Sequence, residues 1–145
     1  MGKIEIVAYI WAFTQVVGDI LMLTLSVMPI SLAVVRLNTS CNIPLWAIEE
    51  EDFFSITKTQ DELSIVCSED KVPQEVKVEK GWRCLKVEGP LDFGLTGILS
   101  SLAQPLAEAK ISIFAISTFD TDYIMIKKEN LQKAVAILTA FCKIQ

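Results

Sequence analysis

The polar groups that could hold a small ligand are concentrated in two short segments of this sequence. The first, Asp92–Leu95, precedes a helical pattern and offers free backbone N–H groups, which suit a carboxylate. The second, Ser117–Asp122, follows a strand pattern and adds hydroxyl groups, an aromatic ring and two carboxylates, which suit an ammonium group. Together they predict a site for a molecule that carries both charges, as an amino acid does. The candidate ligand-binding residues are Asp92, Phe93, Gly94, Leu95, Thr118, Phe119, Asp120 and Asp122.

Each of these residues also has a purely structural interpretation. Asp92 can cap the following helix, because its carboxylate can accept hydrogen bonds from the free N–H groups of the first turn. Asp120 is a typical turn residue, and Asp122 can simply begin the return strand of a hairpin. Phe119 can pack at a sheet edge, and Gly94 can permit close packing of a helix on a sheet. The residues alone leave both interpretations open.

Catalysis is disfavoured by the residue types that this sequence lacks. It has no histidine, so no imidazole can serve as a general base or activate its serines and cysteines. Asp120 and Asp122 share one tight turn, whereas the paired acids of a glycosidase flank the bond that they cleave. The phosphate-binding pattern G-x-x-x-x-G-K-[ST] is absent as well. We therefore predict a protein that is not an enzyme, with no catalytic residues and no cofactor.

The cysteines indicate a protein of a reducing compartment. Cys41, Cys67, Cys84 and Cys142 include no C-x-x-C pair, whereas zinc ligands normally come in pairs at short spacing. No metal site is predicted. Buried free thiols are the simpler interpretation, because a free cysteine behaves as a small hydrophobic residue. Such thiols fit a reducing cytosol, and we expect a cytoplasmic protein.

The charge of the chain argues against one class of partner. The sequence has 13 basic and 18 acidic residues and a net charge of −5, whereas nucleic-acid binding normally needs a basic surface. No nucleic-acid partner is predicted. The acidic run Glu49–Asp52 is interpreted as a solvated loop. A cation site there is the weaker alternative, because the spacing and central glycine of an EF-hand are absent.

The elements that position the two candidate segments follow from residue periodicity. A strand with one wet face covers residues 85–88, and Gly89-Pro90 ends it because proline cannot donate to a strand ladder. Apolar residues at helical spacing then predict a helix that begins near Gly94, with Asp92 as its cap.

The remainder of the C-terminal half predicts a hairpin and a second helix. Residues 111–118 are dense in branched and aromatic side chains, which predicts a strand buried on both faces. Residues 120–122 form a turn, and the return strand covers Tyr123–Lys127. A second apolar stripe at helical spacing runs from Leu131 to Cys142. The order strand, helix, strand, strand, helix predicts an α+β sandwich with both helices on one face of an antiparallel sheet.

The middle of the chain predicts a strand-rich unit. Ser31–Leu37 reads as a strand, and Pro44–Ile48 is long enough for a single turn that packs Trp46 inward. Phe53–Lys58 and Leu63–Cys67 alternate in the same way and are separated by a polar turn, which predicts a hairpin.

Two runs of this sequence resemble the ACT domain. They are EGPLDFGLTGILSSLAQPLAEAKISIFAISTFDTDYIMIKKENLQKAV and, upstream, FFSITKTQDELSIVCSEDKVP. More narrowly, they resemble small proteins that pair two ACT-type units and are related to the animal cytosolic arginine sensors. The resemblance covers roughly Ile30 to Lys143. It implies a ferredoxin-like ACT sandwich in which two ACT-like units share an antiparallel sheet, the N-terminal unit being degenerate and strand-rich.

The domain boundaries predicted from these patterns are an apolar extension at residues 1–29, a degenerate ACT-like unit at 30–81 and an ACT domain at 82–145. Three interpretations of the extension stay open. It could add a strand or helix to the domain, or be a non-native or disordered extension with translation starting at Met22 or Met28. It could also anchor the chain in a membrane through residues 4–28, although Asp19 would then lie near the middle of the span.

The resemblance also implies a regulatory function. ACT domains sense small molecules, usually amino acids, at interfaces between paired units, and the matching positions are Pro90–Gly97 and Thr118–Asp122. A ligand sensor that forms a homodimer is therefore expected. Because no enzyme or DNA-binding domain is attached, the signal would leave through oligomerisation or an unidentified protein partner. The alternatives are a scaffold that assembles without ligand and a membrane-tethered form.

Overall fold

The computed structural model describes residues 23–49, 53–92, 94 and 96–145. Short 3₁₀ turns lie at Leu45–Ala47, Glu69–Lys71 and Lys128–Asn130. The strands and helices are β1 (Thr24–Leu37), β2 (Ser55–Lys58), β3 (Leu63–Ser68), β4 (Lys77–Val87), α1 (Ile98–Glu108), β5 (Ile113–Ser117), β6 (Asp122–Lys127), α2 (Leu131–Leu138) and β7 (Lys143–Ile144).

The chain divides into two compact units. Met28–Cys84 forms the central unit, and Leu85–Gln145 forms the C-terminal unit together with residues 23–27. The predicted boundaries after residues 29 and 81 fall inside β1 and β4, which both run on without interruption. Helices and antiparallel strands occur together, so the predicted α+β class is confirmed.

The central unit is a sheet in the order β2-β3-β1-β4. The predicted hairpin is confirmed, because Ser55 to Lys58 pair antiparallel with Val66 to Leu63. Leu63 continues the ladder by pairing with Leu37 of β1. Trp46 packs against the core of this unit from its 3₁₀ turn, as predicted. The buried residues of that core are Ala33, Val35, Ala47, Leu63, Ile65, Cys67 and Val72.

The C-terminal unit places two helices against a sheet in the order β4-β6-β5. Here β7 pairs parallel with the start of β1. The apolar stripe of each helix contributes to one core, because residues three or four positions apart share a helix face. The buried residues of this core are Leu23, Leu25, Leu85, Val87, Leu102, Leu106, Ile111, Ile124, Ile126, Ala134, Leu138 and Cys142.

Helix α1 begins later than the sequence predicts. The expected start was near Gly94, but the first helical residue is Ile98. Gly97 immediately before it has a φ of +79°, a left-handed conformation that glycine adopts without steric cost. The left-handed residue interrupts any helical run from residue 94.

The end of α1 has an unusual residue in a standard arrangement. Lys110 has a φ of +60° and occupies the place that glycine usually takes after a helix. Its N–H donates to the carbonyl of Ala107 at 2.9 Å, and the N–H of Ile111 donates to the carbonyl of Leu106 at 2.9 Å. These two bonds satisfy carbonyl groups at the end of the helix.

Two further predictions about the C-terminal unit are corrected. Residues 111–118 were expected to form a strand buried on both faces, but β5 is the outermost strand of its sheet, and Ala115 is exposed. Branched residues fit central and edge strands alike, so composition alone could not separate the two. The second helix was expected to reach Cys142 but ends at Leu138, and the chain turns into β7.

The first strand is longer than predicted. The sequence indicated Ser31–Leu37, whereas β1 starts at Thr24 and includes part of the segment interpreted as an extension. The interpretations of residues 1–22 lie outside the described residues. Within the described ranges no helix is both long enough and apolar enough to span a membrane.

Candidate functional site

The two candidate segments meet at a backbone hydrogen bond. The N–H of Leu91, in the loop after β4, donates to the carbonyl oxygen of Asp120, in the turn after β5, at 2.7 Å. Gly89 lies at the same junction, where a Cβ atom would stand 2.9 Å from the Asp120 carbonyl oxygen and 3.3 Å from Cβ of Thr121. Only a residue without a side chain fits there without a shift of the backbone.

A buried hydroxyl group adds a second connection between the two segments. The Thr121 side chain donates from Oγ1 to the carbonyl oxygen of Val87 at 2.5 Å, and only 5% of the residue is exposed. Val87 is the last residue of β4 and is fully buried. A buried carbonyl that loses its donor costs free energy, so this bond ties the turn to the end of the strand.

Thr118 closes the turn on itself. Its N–H donates to the carbonyl oxygen of Thr121 at 2.8 Å. Its hydroxyl group lies 3.0 Å from the same carbonyl oxygen and 3.3 Å from the N–H nitrogen of Thr121. Thr118 was predicted as a ligand contact, and here its hydroxyl group has structural partners within the turn.

Two of the predicted acidic residues also have partners of their own. Oδ1 of Asp122 accepts a hydrogen bond from the Ser117 hydroxyl group at 2.5 Å. Oδ1 of Asp92 accepts one from the backbone N–H of Gly94 at 2.6 Å. The prediction that Asp92 caps the helix is therefore wrong: its carboxylate bonds two residues ahead, in a local turn, while α1 starts at Ile98 without a side-chain cap.

The remaining candidates differ in exposure. Phe119 is 79% exposed, and Asp120 and Asp92 are exposed as well. Phe93 and Leu95 lie outside the described residues. The side chain of Asp120 therefore points to a solvent-accessible surface, while its carbonyl group holds the two segments together.

Sequence reasoning missed the residues that join the segments. Gly89 was interpreted only as the end of a strand, and Thr121 only as part of a turn. Thr121 did carry a signal, since a threonine between two aspartates in a tight turn can donate to a neighbouring backbone group. The close approach at Gly89 carried none, because it depends on a residue more than thirty positions away.

The thiol groups are shielded in three cases out of four. Cys67, Cys84 and Cys142 are buried and Cys41 is exposed, and all four are free. Burial raises the pKa of the Cys84 thiol to about 12 and that of the Cys142 thiol to about 11. Thiols with a raised pKa are poor nucleophiles at neutral pH. No cluster of three or more potential metal ligands occurs among the residues with described positions.

Comparison with known families identifies both halves of the chain. The model of the ACT domain matches residues 77–140. A second family model, described as an N-terminal domain, matches residues 31–75. The two matches follow each other closely, as the two runs quoted above do.

Individual relatives agree with the family match. A protein from Agobacterium tumefaciens of known crystal structure is 41% identical, with a TM-score of 0.79, over 85% of this chain and 92% of that one. A Vibrio cholerae protein, described as a possible transport protein, shares the fold at 20% identity, with a TM-score of 0.70, over 84% of this chain and 91% of that one.

A curated relative carries a functional name. The human cytosolic arginine sensor for mTORC1 subunit 1 is 30% identical over 94 residues, which are 59% of this chain. The match spans only 29% of the length of that sensor.

Proposed function

We propose that this chain, which belongs to the ACT-domain family and is related to the cytosolic arginine sensors, is a regulatory module that binds an amino acid or a similar small metabolite. The observation that carries the proposal is the hydrogen bond from the Leu91 N–H to the Asp120 carbonyl. It supports a single site built from both candidate segments, with acidic groups at its rim. The name of the human relative supports an amino acid as the ligand class.

The proposed module is not catalytic and acts in the cytoplasm. The sequence holds no histidine, and the buried thiols have a raised pKa, so the usual general base and a reactive thiolate are both missing from the chemistry on offer. The low reactivity of those thiols fits a reducing compartment.

The module is proposed to work as a homodimer joined through β5. This strand lies at the end of its sheet among the described strands, and Ile111–Phe119 carries no charged residue. Edge strands of monomeric proteins are usually protected by charge, proline or a covering element. An uncharged edge favours pairing with another chain, and a second copy is the simplest partner.

Assembly without a ligand is the second candidate function, and one observation favours it. The carboxylates of Asp92 and Asp122 already accept hydrogen bonds from within the chain. A ligand cation would have to share or displace those bonds. If the site never releases them, the β5 edge and the exposed ring of Phe119 would act only in protein contacts.

A thermal-shift screen against the twenty amino acids at millimolar concentration tests the proposal. A ligand that binds the folded state selectively must raise the unfolding midpoint, by about 2.7 kcal/mol of stabilisation at one hundred times its dissociation constant. Calorimetry should then show weaker binding to Asp120→Asn, whose exposed carboxylate is free to change without a loss of packing. Glu108→Gln, an exposed acid on α1, is the matched control.

The same samples decide between the two candidate functions. Light scattering of the wild type and of Ala115→Lys measures whether the β5 edge joins two copies. A dimer that forms equally with and without every amino acid, together with an unchanged unfolding midpoint, would leave assembly as the function. A midpoint raised by one amino acid, and not raised in Asp120→Asn, supports the sensor.

A further inference from the structure

The central unit contains a cleft that the proposed function does not use. Its volume is about 680 Å³, within the range of small-molecule sites. Its floor includes Met28 and Ile30 of β1, which lie beyond the last residue pair between β1 and β3, Leu32 with Ser68. The strand ladder with β3 ends before these residues, which opens a gap beside β1.

The cleft presents both signs of charge around an apolar surface. Phe53, Met28 and Ile30 supply the apolar part, and Lys80 supplies an ammonium group. Glu69 and Asp70 supply carboxylates from the 3₁₀ turn after β3. Apolar walls with a few charged groups at defined positions are typical of sites for small organic ligands.

The acidic side of the cleft is held in place by local hydrogen bonds. Oε2 of Glu69 accepts a bond from the backbone N–H of Gly81 at 2.7 Å, which ties the turn to β4. Oδ1 of Asp70 accepts one from the Ser68 hydroxyl group at 2.7 Å. That bond holds the pKa of Asp70 below its usual value, so this carboxylate stays ionised at neutral pH. The anion is thus oriented before any ligand arrives.

We propose that this cleft is a second ligand site, for a small zwitterion whose ammonium group contacts Asp70, whose acid group contacts Lys80 and whose apolar body lies on Met28, Ile30 and Phe53. Free amino acids with apolar side chains and short apolar peptides share this chemistry. The site belongs to the central unit and shares no residue with the segments around Asp120, so it stands apart from the proposed function.

Isothermal titration of the full chain with L-phenylalanine, and separately with the dipeptide Phe-Phe, tests the site. Asp70→Asn and Lys80→Gln each remove one charge from an exposed side chain, so both variants should fold. We expect each to weaken binding about tenfold or more, because charge-assisted hydrogen bonds are the strong ones in such a site. Lys77→Gln, exposed on the same strand but outside the cleft, is expected to bind as the wild type does.

Ligand analogues test the same idea from the other side. N-acetylphenylalanine lacks the cation and phenylalaninamide lacks the anion, so both should bind at least about tenfold more weakly than phenylalanine. Equal binding of either analogue, or no heat from phenylalanine and Phe-Phe at millimolar concentration, would overturn the proposal. The relative strength of phenylalanine and Phe-Phe shows which of the two sources the cleft prefers.

The outcome is separable from that of the proposed function. Binding that disappears in Asp120→Asn and is unchanged in Asp70→Asn and Lys80→Gln would remove the cleft site and leave the proposed site standing. Binding that shows the opposite pattern would confirm the cleft and count against the placement of the other site.

Discussion

The junction at Gly89 gives a sharp test of how the candidate site is held together. In Gly89→Ala the new Cβ atom would stand 2.9 Å from the carbonyl oxygen of Asp120 and 3.0 Å from the nitrogen of Leu91. These two atoms are the acceptor and the donor of the bond that joins the segments at 2.7 Å. Both are backbone atoms, so the strain cannot be relieved by rotating a side chain.

The size of the effect follows from this geometry. Forcing a methyl group into a packed position typically costs about 1–3 kcal/mol. Replacing glycine by alanine returns about 0.4–1 kcal/mol by restricting the unfolded chain. We therefore expect the free energy of unfolding to fall by about 1–2 kcal/mol. For a chain of this size that corresponds to a drop of about 2–8 °C in the unfolding midpoint.

Gly94→Ala is the matched control for stability. It makes the same chemical change in the same loop, but its Cβ atom would meet Oδ1 of Asp92 at 3.0 Å, which is the mobile end of a side chain. Chemical denaturation of the two variants, followed by intrinsic fluorescence, measures the difference. Equal stability of Gly89→Ala and Gly94→Ala would refute the view that the close approach at Gly89 fixes the two segments.

Four further outcomes are expected. Thr121→Val should lower the free energy of unfolding by about 1–3 kcal/mol, because the buried carbonyl of Val87 loses its donor, whereas Thr121→Ser keeps the hydroxyl group and should lose less. Lys110→Gly should raise it by about 0.5–1 kcal/mol by relieving a φ of +60°, and Lys110→Ala should not. A thiol reagent at pH 8 should modify one cysteine quickly, the exposed Cys41, and the three buried ones only on unfolding. Stability should fall as pH rises from about 9 towards 12, because the folded state keeps the Cys84 thiol protonated while the unfolded chain loses that proton, and Cys84→Ala should flatten this decline.

Much of the fold could be predicted from local patterns. The hairpin of β2 and β3 follows from two alternating runs around a polar turn. The second hairpin, from β5 to β6, follows from the short polar residues between Ser117 and Asp122. The apolar stripes of both helices are equally local, since they depend only on spacing within one segment.

The errors all concern properties that a local pattern does not contain. The start of α1 depends on the backbone conformation of Gly97, which the residue type permits but does not impose. The exposure of β5 depends on which strand lies beside it, and the sequence of a strand does not state its place in the sheet. The contact of Leu91 with Asp120 joins residues far apart in the sequence, so only the folded chain reveals it.

The turn after β5 divides its work between the fold and the surface. Thr121 and Thr118 spend their hydroxyl groups on backbone carbonyls, so substitutions there report on stability before they report on a ligand. Asp120 is different, since its carbonyl serves the fold while its exposed carboxylate is available to a ligand. Replacing that carboxylate alone should therefore change ligand affinity with little change in the unfolding midpoint. A large loss of stability in Asp120→Asn would show that the side chain also serves the fold, and the division would not hold.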